Sequence, residues 1–516
     1  MANLFVRPKP LVLVFMDGVG VAPPGPGNAV SLAKTPNLDK LWPTFPHTYL
    51  HAAGLNVGLP HGVDGNSEVG HMNLGAGKVV FQELPRIDNA INTKSFFKNK
   101  LLTEALQRAG KNKVHIMGLL GAGQVHSSYG HLVALLEMAR ELGVNGDKVF
   151  LHIFTDGRDS PPQSAQKLFE KLETEISRNK VGTIATVIGR YFAMDRDDRW
   201  ERTRQAYDLI VHGKGKPVKN WNEALKESYA NDKFDEYIEP YVITNGNGPV
   251  TTVSEGDAVI FFNYRPDRAV QLTRAFEEEE FPGWDRALIQ DLFFVGMSNY
   301  EKGFPYKQAF PPEKITKPLG KVISDNGMRQ LRISESEKFP HVTYFVNGRD
   351  QTQYPGEDRI EVPSPKDVAT YDQKPEMSAY MLTDILLKKI EENIYDVIMI
   401  NYANPDMVAH TGALEPSIKA MEVVDECLGR VAAYLLKNKG AMVITADHGN
   451  TEEMINLQDG SVDTKHSTNP VPLMIVKEGL SPRELSFGVL ADVAPTVLSM
   501  LGIPKPVEMT GRNLLV

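Results

Sequence analysis

Cysteine is almost absent from this sequence, since Cys427 is the single cysteine among 516 residues. One cysteine forms no internal disulfide, which excludes a disulfide-stabilised scaffold and is typical of a reducing compartment. Positive charge is not in excess either, because 56 lysines and arginines face 65 aspartates and glutamates, for a formal net charge of -9. This balance excludes a generally polyanion-binding surface, so nucleic acid is not an expected partner.

Long hydrophobic runs are missing as well. The apolar run "LVLVF" (11–15) leads almost directly into Asp17. It is too short for the core of a signal peptide and far below the ~20 residues of a membrane span. We therefore expect a soluble, cytoplasmic protein without a membrane partner. We also expect a monomer. The chain is long enough to bury a sizeable core, and 42% of its residues are hydrophobic. Its length exceeds what a single hydrophobic core usually serves, so we expect two domains.

Short apolar runs alternate with longer stretches of helical period, a pattern that predicts an α/β fold with a parallel sheet. The predicted strands are residues 11–17, 114–120, 148–156, 182–189, 257–263, 395–402 and 440–447. The predicted helices are residues 131–144, 164–179, 377–392 and 415–437. Most of these strands end in polar or charged residues, and ligands of open α/β sheets bind outside the carboxyl ends of strands.

Two segments have the composition of crossings between domains, "GAGKVVFQELPRID" (75–88) and the proline-containing "FPPEKITKPLGKVI" (310–323). Together they predict that residues 81–313 form an inserted domain. The other domain is then built from both ends of the chain, residues 1–80 and 314–516.

Metal-ligand residue types follow several predicted strands. Asp406 and His410 lie four residues apart in "NPDMVAHTG", a spacing that directs both side chains to the same side of a helical turn. The other candidates are Asp17 in "FMDGVG", Asp447 and His448 in "TADHGN", and His466 in "KHSTNP". Three aspartates and three histidines suit two divalent cations such as Mn²⁺ or Zn²⁺, whereas Mg²⁺ is less favoured by imidazole. The alternative for each Asp-His pair alone is a capping or hydrogen-bonding role in a turn.

Ser67 stands among glycines in "DGNSEVGHMNLGAG" (64–77). A serine hydroxyl is a poor nucleophile at neutral pH, but a nearby dication would lower its pKa. The alternative is that Ser67 caps a helix, although Gly70, Gly75 and Gly77 make a poor long helix. For His71 and Glu68 the sequence favours a role in local structure.

Arginines follow the strands of the middle segment in the same way. The candidates are Arg158 and Asp159 in "DGRDSPP", Arg190 and Arg196 in "GRYFAMDRDDRW", Arg265 and Arg268 in "NYRPDRAVQL", and His126 in "GQVHSSYGH". Arginine pairs its N–H groups with carboxylate and phosphate oxygens, so this set predicts a small ligand that bears both groups. The alternative is surface ion pairing with Asp195, Asp197, Asp198 and Asp267, the role favoured for Arg199 and Arg202.

Taken in order, these motifs resemble those of the cofactor-independent phosphoglycerate mutases, a family of the alkaline phosphatase superfamily. The resemblance runs from "MDGVG" and "GNSEVGHMNLGAG" through "DGRDSPP", "GRYFAMDRDDRWER", "NYRPDRAVQL" and "SESEKFPHVTYF" to "SPKDVATYD", "NPDMVAHTG", "TADHGN" and "KHSTNPVP". It implies an alkaline-phosphatase-like, metal-binding parallel-sheet domain over 1–80 and 314–516. It also implies an inserted α/β domain over 81–313 that binds the substrate.

The resemblance further implies a role for each candidate. One metal would be held by Asp406, His410 and His466, and the other by Asp17, Ser67, Asp447 and His448. The substrate residues would be His126, Arg158, Asp159, Arg190, Arg196, Arg265, Arg268 and Lys338. Lys338 attracts no attention by itself, but its charge could stabilise a phosphoryl group in transfer. The expected cofactors are two divalent ions, with Mn²⁺ preferred and Zn²⁺, Co²⁺ or Mg²⁺ as alternatives.

The expected reaction interconverts 3-phosphoglycerate and 2-phosphoglycerate without 2,3-bisphosphoglycerate, by way of phosphorylated Ser67. Asp159 is expected to relay protons to and from the glycerate hydroxyls. The domains are expected to close around the substrate about the crossings near residues 80 and 313. The alternatives are a metal-dependent phosphatase or phosphopentomutase of the same superfamily, and a non-catalytic metabolite-binding relative.

Overall fold

The computed structural model describes residues 7–304, 306–456 and 459–516. These residues divide into two compact units. One unit comprises the described residues up to Gln82 together with Lys314–Val516, and the other comprises Glu83–Glu313. The metal-binding and substrate-binding roles assigned to the two domains from the sequence stay a prediction.

Strands occur throughout both units. They are β1 (Leu11–Met16), β2 (His47–His51), β3 (Val114–Leu120), β4 (Val149–Thr155), β5 (Thr183–Gly189), β6 (Lys216–Val218), β7 (Tyr241–Ile243), β8 (Ala258–Phe261), β9 (Phe293–Gly296), β10 (Lys307–Gln308), β11 (Gln330–Glu335), β12 (Glu357–Val362), β13 (Val397–Tyr402), β14 (Ala441–Thr445), β15 (Val471–Lys477) and β16 (Gly488–Val489). Each predicted strand is confirmed, as β1, β3, β4, β5, β8, β13 and β14. The α/β fold class is confirmed with them.

Helices connect most of these strands. They are α1 (Ala29–Leu32), α2 (Pro36–Leu41), α3 (Ser67–Ala76), α4 (Glu83–Asn92), α5 (Lys100–Gln107), α6 (Tyr129–Glu141), α7 (Ala165–Asn179), α8 (Arg190–Ala193), α9 (Trp200–His212), α10 (Trp221–Ala230), α11 (Val270–Glu277), α12 (Leu319–Asp325), α13 (Ala379–Glu391), α14 (Asn404–Ala409), α15 (Leu414–Lys437) and α16 (Val493–Met500). The predicted helices are confirmed as α6, α7, α13 and α15. Among the described residues, no helix combines the length and hydropathy that a bilayer crossing requires.

The sheet of the first unit has the strand order β12-β11-β13-β1-β14-β15-β2-β16. The strands from β12 to β14 are parallel, and β15 runs antiparallel to both β14 and β2. Strand β1 is buried along its whole length "LVLVFM". Such an unbroken apolar run is what a central parallel strand requires, because both faces of the sheet are covered.

The sheet of the second unit has the order β10-β9-β8-β3-β4-β5-β7-β6, and its central strands are parallel. Successive residues of β3 face opposite sides, since Ile116 belongs to one apolar cluster and Met117 to the other. The core of this unit therefore has two layers, one on each face of the sheet.

In both units the parallel strands bring several carboxyl ends to one edge. Strands β11, β13, β1 and β14 are neighbours in the first unit, and β8, β3, β4 and β5 are neighbours in the second. Because β15 is antiparallel to β14, its first residue lies at the edge where β14 ends. The loops after these strands, of which the one after β14 continues to β15, are therefore held close together within each unit.

Candidate active site

The edge of the first sheet gathers charged side chains from successive loops. Asp17 follows β1, Asp406 lies in α14 just after β13, and Asp447 and His448 follow β14. Lys338 ends a 3₁₀ turn, Ser336–Lys338, that continues from β11. All of these side chains are buried. Residues far apart in sequence thus meet because their strands are neighbours in the sheet.

Ser67 is the first residue of α3, and its neighbour Asn66 is the N-cap. The Asn66 side chain accepts a hydrogen bond from the Val69 backbone N–H at 2.9 Å. The interpretation of Ser67 as the cap is therefore wrong, because Asn66 already satisfies that orphan N–H. The hydroxyl of Ser67 is left available for other contacts.

Three functional groups converge on the Ser67 hydroxyl. Its Oγ lies 2.8 Å from His448 Nε2 and accepts a hydrogen bond from Lys338 Nζ, also at 2.8 Å. It lies 3.3 Å from Asp17 Oδ1, to which it donates. A buried hydroxyl with this set of neighbours is held in a fixed position beside charged groups, as a nucleophile requires.

Glycines inside α3 allow it to approach the sheet edge closely. A Cβ at Gly70 would overlap the backbone oxygen of Asp447, and one at Gly75 would overlap the backbone oxygen of Val346. The helix therefore accepts residues of low helix propensity because its backbone packs directly against neighbouring backbone. Gly77 ends it in a left-handed conformation, with φ of 62°.

Replacing Gly70 by alanine is expected to destabilise the protein by about 1–3 kcal/mol, because backbone atoms of Asp447 cannot move aside as a flexible side chain would. Thermal and denaturant-induced unfolding would measure the loss. The matched control is Gly130→Ala, an exposed helical glycine in α6 whose Cβ would meet only ordinary van der Waals contact. That control should be neutral or slightly stabilising, and equal stability of both variants would contradict the close-approach explanation.

Two groups of side chains in this unit could each hold a metal ion. One consists of Asp406, His448 and His466, and the other of Asp17, Asp447 and His448. His448 is common to both. His410 lies beside the first group, with Nε2 3.3 Å from Asp406 Oδ1 and 3.1 Å from His466 Nε2. The structure therefore brings together every residue that the sequence named as a metal ligand, with Ser67 in contact with the second group.

The charge of this cluster suits divalent cations. Asp17, Asp406 and Asp447 are buried carboxylates, and Lys338 is the cation paired with two of them, at 2.6 Å from Asp17 and 2.7 Å from Asp406. The Oδ2 atom of Asp447 is buried and lies 3.1 Å from His71 Nδ1 and 3.5 Å from His448 Nε2, but it makes no hydrogen bond of good geometry among the residues that the structure describes. An ionised oxygen held only in this way is costly in a dry interior, and a cation would satisfy it. The donor set thus fits two divalent ions with mixed oxygen and nitrogen ligands.

The pKa shifts follow from burial and from these neighbours. Burial and the repulsion of Asp447 raise the pKa of Asp17. For Asp406, burial is outweighed by the charge of Lys338 and by hydrogen bonds from His410 and His466, so its pKa lies well below the ordinary value. Burial opposes the charge of Lys338, but the carboxylates of Asp17 and Asp406 outweigh it and raise the pKa of the ammonium group. Lys338 is therefore protonated beside these carboxylates.

Two further residues support this cluster, and the sequence patterns assign neither of them to it. His71 is fully buried, with Nδ1 2.9 Å from the Ser67 carbonyl oxygen and 3.1 Å from Asp447 Oδ2. Asn401 Nδ2 donates to Asp17 Oδ2 at 2.6 Å and lies 3.1 Å from His71 Nε2. The role of His71 in purely local structure is thus too narrow. Its position one helical turn after Ser67 was the available signal, because residues four apart share a helix face.

The second unit gathers its own charged side chains at the ends of β3, β4, β5 and β8. Arg190 is the first residue of α8, directly after β5, and it is buried. Its Nη1 donates to Asp156 Oδ1 at 2.6 Å and also to Asp159 Oδ2. Burial with two carboxylates fixes this guanidinium rigidly.

The other residues predicted to bind the substrate lie around Arg190 and Asp159. His126 Nε2 is 3.7 Å from Asp159 Oδ2, and its Nδ1 is 3.5 Å from Asp267 Oδ1. Arg196 and Arg265 both pair with Asp267, each at 3.0 Å. Two further arginines complete the set: Arg158 is 3.7 Å from Glu236, and Arg268 donates to the Met194 carbonyl oxygen at 2.9 Å. Arg199 and Arg202 instead pair with Asp195, as the ion-pair interpretation predicted.

The electrostatics of this cluster favour an anion. Burial, followed by repulsion from Arg190, Arg196 and Arg158, lowers the pKa of Arg268, so these guanidinium groups act on one another. Burial and Arg190 lower the pKa of His126 to about 4, which keeps it neutral. A carboxylate or phosphate group would relieve the repulsion between the arginines.

Burial opposes ionisation of Asp159, but the hydrogen bond and charge of Arg190 outweigh it and lower its pKa. This carboxylate is therefore ionised at neutral pH. It can accept a proton only from a group held beside it.

Comparison with known proteins adds relatives that match the whole chain. A family model described as "BPG-independent PGAM N-terminus (iPGM_N)" matches residues 87–302. Proteins named 2,3-bisphosphoglycerate-independent phosphoglycerate mutase are 49% identical in Clostridium beijerinckii and 50% identical in Listeria innocua, each over 98% of this chain and 99% of the relative. The crystal structure of Leishmania mexicana phosphoglycerate mutase at low cobalt concentration is similar with a TM-score of 0.53 and 31% identity, over 99% of both chains.

Proposed function

We infer that this chain, which belongs to the 2,3-bisphosphoglycerate-independent phosphoglycerate mutase family, carries the transferred phosphoryl group on Ser67. The enzyme interconverts 3-phosphoglycerate and 2-phosphoglycerate. A reaction without a bisphosphorylated primer needs a group on the enzyme that holds the phosphoryl group between its two positions. Covalent catalysis by a side-chain nucleophile supplies such a group.

The contacts of the Ser67 hydroxyl are the observation that carries this proposal. Lys338 Nζ and His448 Nε2 each lie 2.8 Å from Ser67 Oγ. Ser67 also begins α3, whose first backbone N–H groups favour a bound phosphate. No serine in an ordinary turn needs a buried lysine and a buried histidine at hydrogen-bond distance.

We propose that Asp406, His410 and His466 hold one divalent ion and that Asp17, Asp447 and His448 hold the other beside Ser67. Mn²⁺ is the preferred ion because the donors mix carboxylate oxygen with imidazole nitrogen. When bound, the ions would lower the pKa of the Ser67 hydroxyl and neutralise charge on the phosphoryl group.

Lys338 would stabilise the phosphoryl group during transfer. Its ammonium group is buried and stays protonated, and it donates to Ser67 Oγ, Asp17 and Asp406. A fixed positive charge next to the nucleophile stabilises the negative charge that develops on the transferred oxygens. Because the raised pKa prevents loss of its proton, Lys338 would act by charge alone.

The residues of the second unit would hold glycerate and move its protons. Ser67 first loses its hydroxyl proton to solvent; its oxygen then forms a bond to phosphorus as the bond to the C3 oxygen breaks. Asp159, which is ionised, removes the proton of the C2 hydroxyl and passes it to the C3 oxygen. The C2 oxygen then takes the phosphoryl group from Ser67, whose deprotonated oxygen is restored. The guanidinium groups around Arg190 would hold the glycerate carboxylate throughout.

A metal-dependent phosphatase or phosphopentomutase is not favoured, since full-length relatives at 49% identity are named phosphoglycerate mutases. The decisive assay supplies 3-phosphoglycerate without primer and follows 2-phosphoglycerate and free phosphate together. Isomerisation without a primer, with little phosphate release and with phosphate recovered on the Ser67 peptide, is expected. A requirement for added 2,3-bisphosphoglycerate would overturn the serine route.

Replacing Asp159 by asparagine is expected to lower kcat about 10²- to 10⁴-fold, the usual contribution of a general acid–base residue. The change keeps the size of the side chain, so the arginine cluster should still bind substrate and KM should change much less. Asp197→Asn is the matched control, because Asp197 is an exposed partner of Arg199 in the same unit. If D159N and D197N turned over substrate equally fast, Asp159 would not be the proton carrier.

A further inference from the structure

Glu452 is a buried carboxylate in the loop after β14, and every direction around it is occupied by a donor. Its Oε2 accepts from the backbone N–H groups of Gly20 and Asn450, each at 2.9 Å. Its Oε1 accepts from Asn469 Nδ2 at 3.0 Å and from the Ser467 hydroxyl. All four neighbours donate, so both oxygens of the carboxylate are fully satisfied.

These donors belong to three segments of two loops, the loop after β1 and the two ends of the connection between β14 and β15, and each segment carries proposed metal ligands. Gly20 follows Asp17 closely, and Asn450 follows Asp447 and His448. Ser467 is the neighbour of His466. Within the described part of the chain, no lysine, arginine or histidine is ion-paired with Glu452, so its charge is balanced by hydrogen bonds alone. A buried charge held in this way is costly unless its geometry is well defined, and here that geometry joins the three segments.

Two glycines leave space for the carboxylate. A Cβ at Gly20 or at Gly449 would overlap the carboxyl group of Glu452. Neither glycine has a positive φ, so close approach and not backbone conformation explains its presence. The backbone of both loops therefore passes directly against the Glu452 side chain.

We propose that Glu452 is a positioning residue that sets the spacing of the metal ligands by fixing these three segments around one carboxylate. The inference rests on the proposed function, in which Asp17, Asp447, His448 and His466 bind the metal ions. Groups that orient metal ligands from behind commonly change metal affinity 10–100-fold when they are altered. Glu452 differs from such partners because it accepts from two backbone N–H groups and from two side chains near the ligands, and among the described residues it makes no hydrogen bond or ion pair with a ligand side chain.

The test is Glu452→Gln, which keeps the shape but replaces one acceptor oxygen by an NH₂ group that faces donors. Equilibrium dialysis of the metal-free enzyme against Mn²⁺, and activity as a function of Mn²⁺ concentration, are measured in parallel. The concentration for half-saturation is expected to rise about tenfold or more. At saturating Mn²⁺ kcat should return to within a few-fold of wild type, which separates positioning from a general loss of structure.

Glu484→Gln is the matched control, since it removes the same charge from an exposed side chain of the same unit. It should bind Mn²⁺ as the wild-type enzyme does. Ser467→Ala provides a second variant if E452Q does not fold, because it removes a single donor, and a smaller shift in the same direction is expected. Wild-type Mn²⁺ affinity in both E452Q and S467A would overturn the positioning role. Failure of the wild-type enzyme itself to bind Mn²⁺ would instead overturn the proposed metal site.

Discussion

Ser67→Ala is expected to reduce primer-independent mutase turnover on the order of 10⁴-fold or more, as loss of a covalent nucleophile does in other enzymes. The alanine removes the only atom of this side chain that can accept the phosphoryl group. It leaves α3 in place, because Asn66 and not Ser67 caps the helix. The change should therefore affect chemistry far more than folding.

Three measurements separate those two effects. Turnover is followed by conversion of 3-phosphoglycerate, folding by thermal unfolding, and the metal site by Mn²⁺ content. Ser481→Ala is the control, since Ser481 is exposed in a loop of the same unit. The S67A enzyme should unfold near the wild-type temperature and still bind metal through its aspartates and histidines. Wild-type turnover by S67A would eliminate the phosphoserine.

The positions of the strand ends could be predicted from the sequence because their physical signal is local. An unbroken apolar run such as "LVLVFM" of β1 identifies a central parallel strand, and the residue after it is thereby placed at the sheet edge. Asp17 and Asp447 were predicted for this reason. Which strands are neighbours is not a local property, so the meeting of Asp17, Asp447 and Asp406 needed the structure or the resemblance.

Strand β11 shows where local patterns fail. Its sequence "QLRISE" contains charged residues, yet every residue is buried and Arg332 is completely enclosed. Arg332 donates to Gln330 Oε1 at 2.9 Å, a partner two residues away on the same strand face. Alternating polarity predicts an exposed face, so no hydrophobic pattern could indicate this strand. Because Lys338 follows β11, its place at the nucleophile was equally hidden.

For helix α3 the sequence-based expectation fails for the opposite reason. Its glycines disfavour a helix locally, but tertiary packing outweighs that preference. Gly70 and Gly75 lower helix propensity, but both are needed for contact with backbone atoms of other segments. The alternative interpretation places the N-cap at Ser67, one residue later than Asn66, where the structure has it. Asn66 and Ser67 are both good N-cap residues, and nothing in the sequence decides between them. A cap at Ser67 would engage its hydroxyl with a helix N–H group, whereas a cap at Asn66 leaves that hydroxyl available.

Removing the divalent ions is expected to lower activity by a factor of at least about 10³, and readdition of Mn²⁺ should restore it. Without cations, the buried carboxylates of Asp17, Asp406 and Asp447 have one lysine to balance them in the described structure, and Asp447 Oδ2 lies beside the imidazoles of His71 and His448 without a well-formed hydrogen bond. The metal-free protein should therefore also unfold more easily. Binding of one ion at 100 times its Kd stabilises a protein by about 2.7 kcal/mol, so the loss should be visible as a lower Tm.

A matched variant distinguishes metal binding from other effects of the chelator. Asp447→Asn removes one charge from the cluster at constant size, so it should raise the Mn²⁺ concentration needed for both activity and thermal stabilisation. Asp459→Asn, an exposed aspartate bonded to Ser461 in the same unit, should respond as the wild-type enzyme does. Full activity of the thoroughly chelated wild-type enzyme would contradict the metal site, because the Ser67 hydroxyl would then be reactive with only Lys338 and His448 beside it. A general base alone would have to activate it, and His448 would be the residue to replace next.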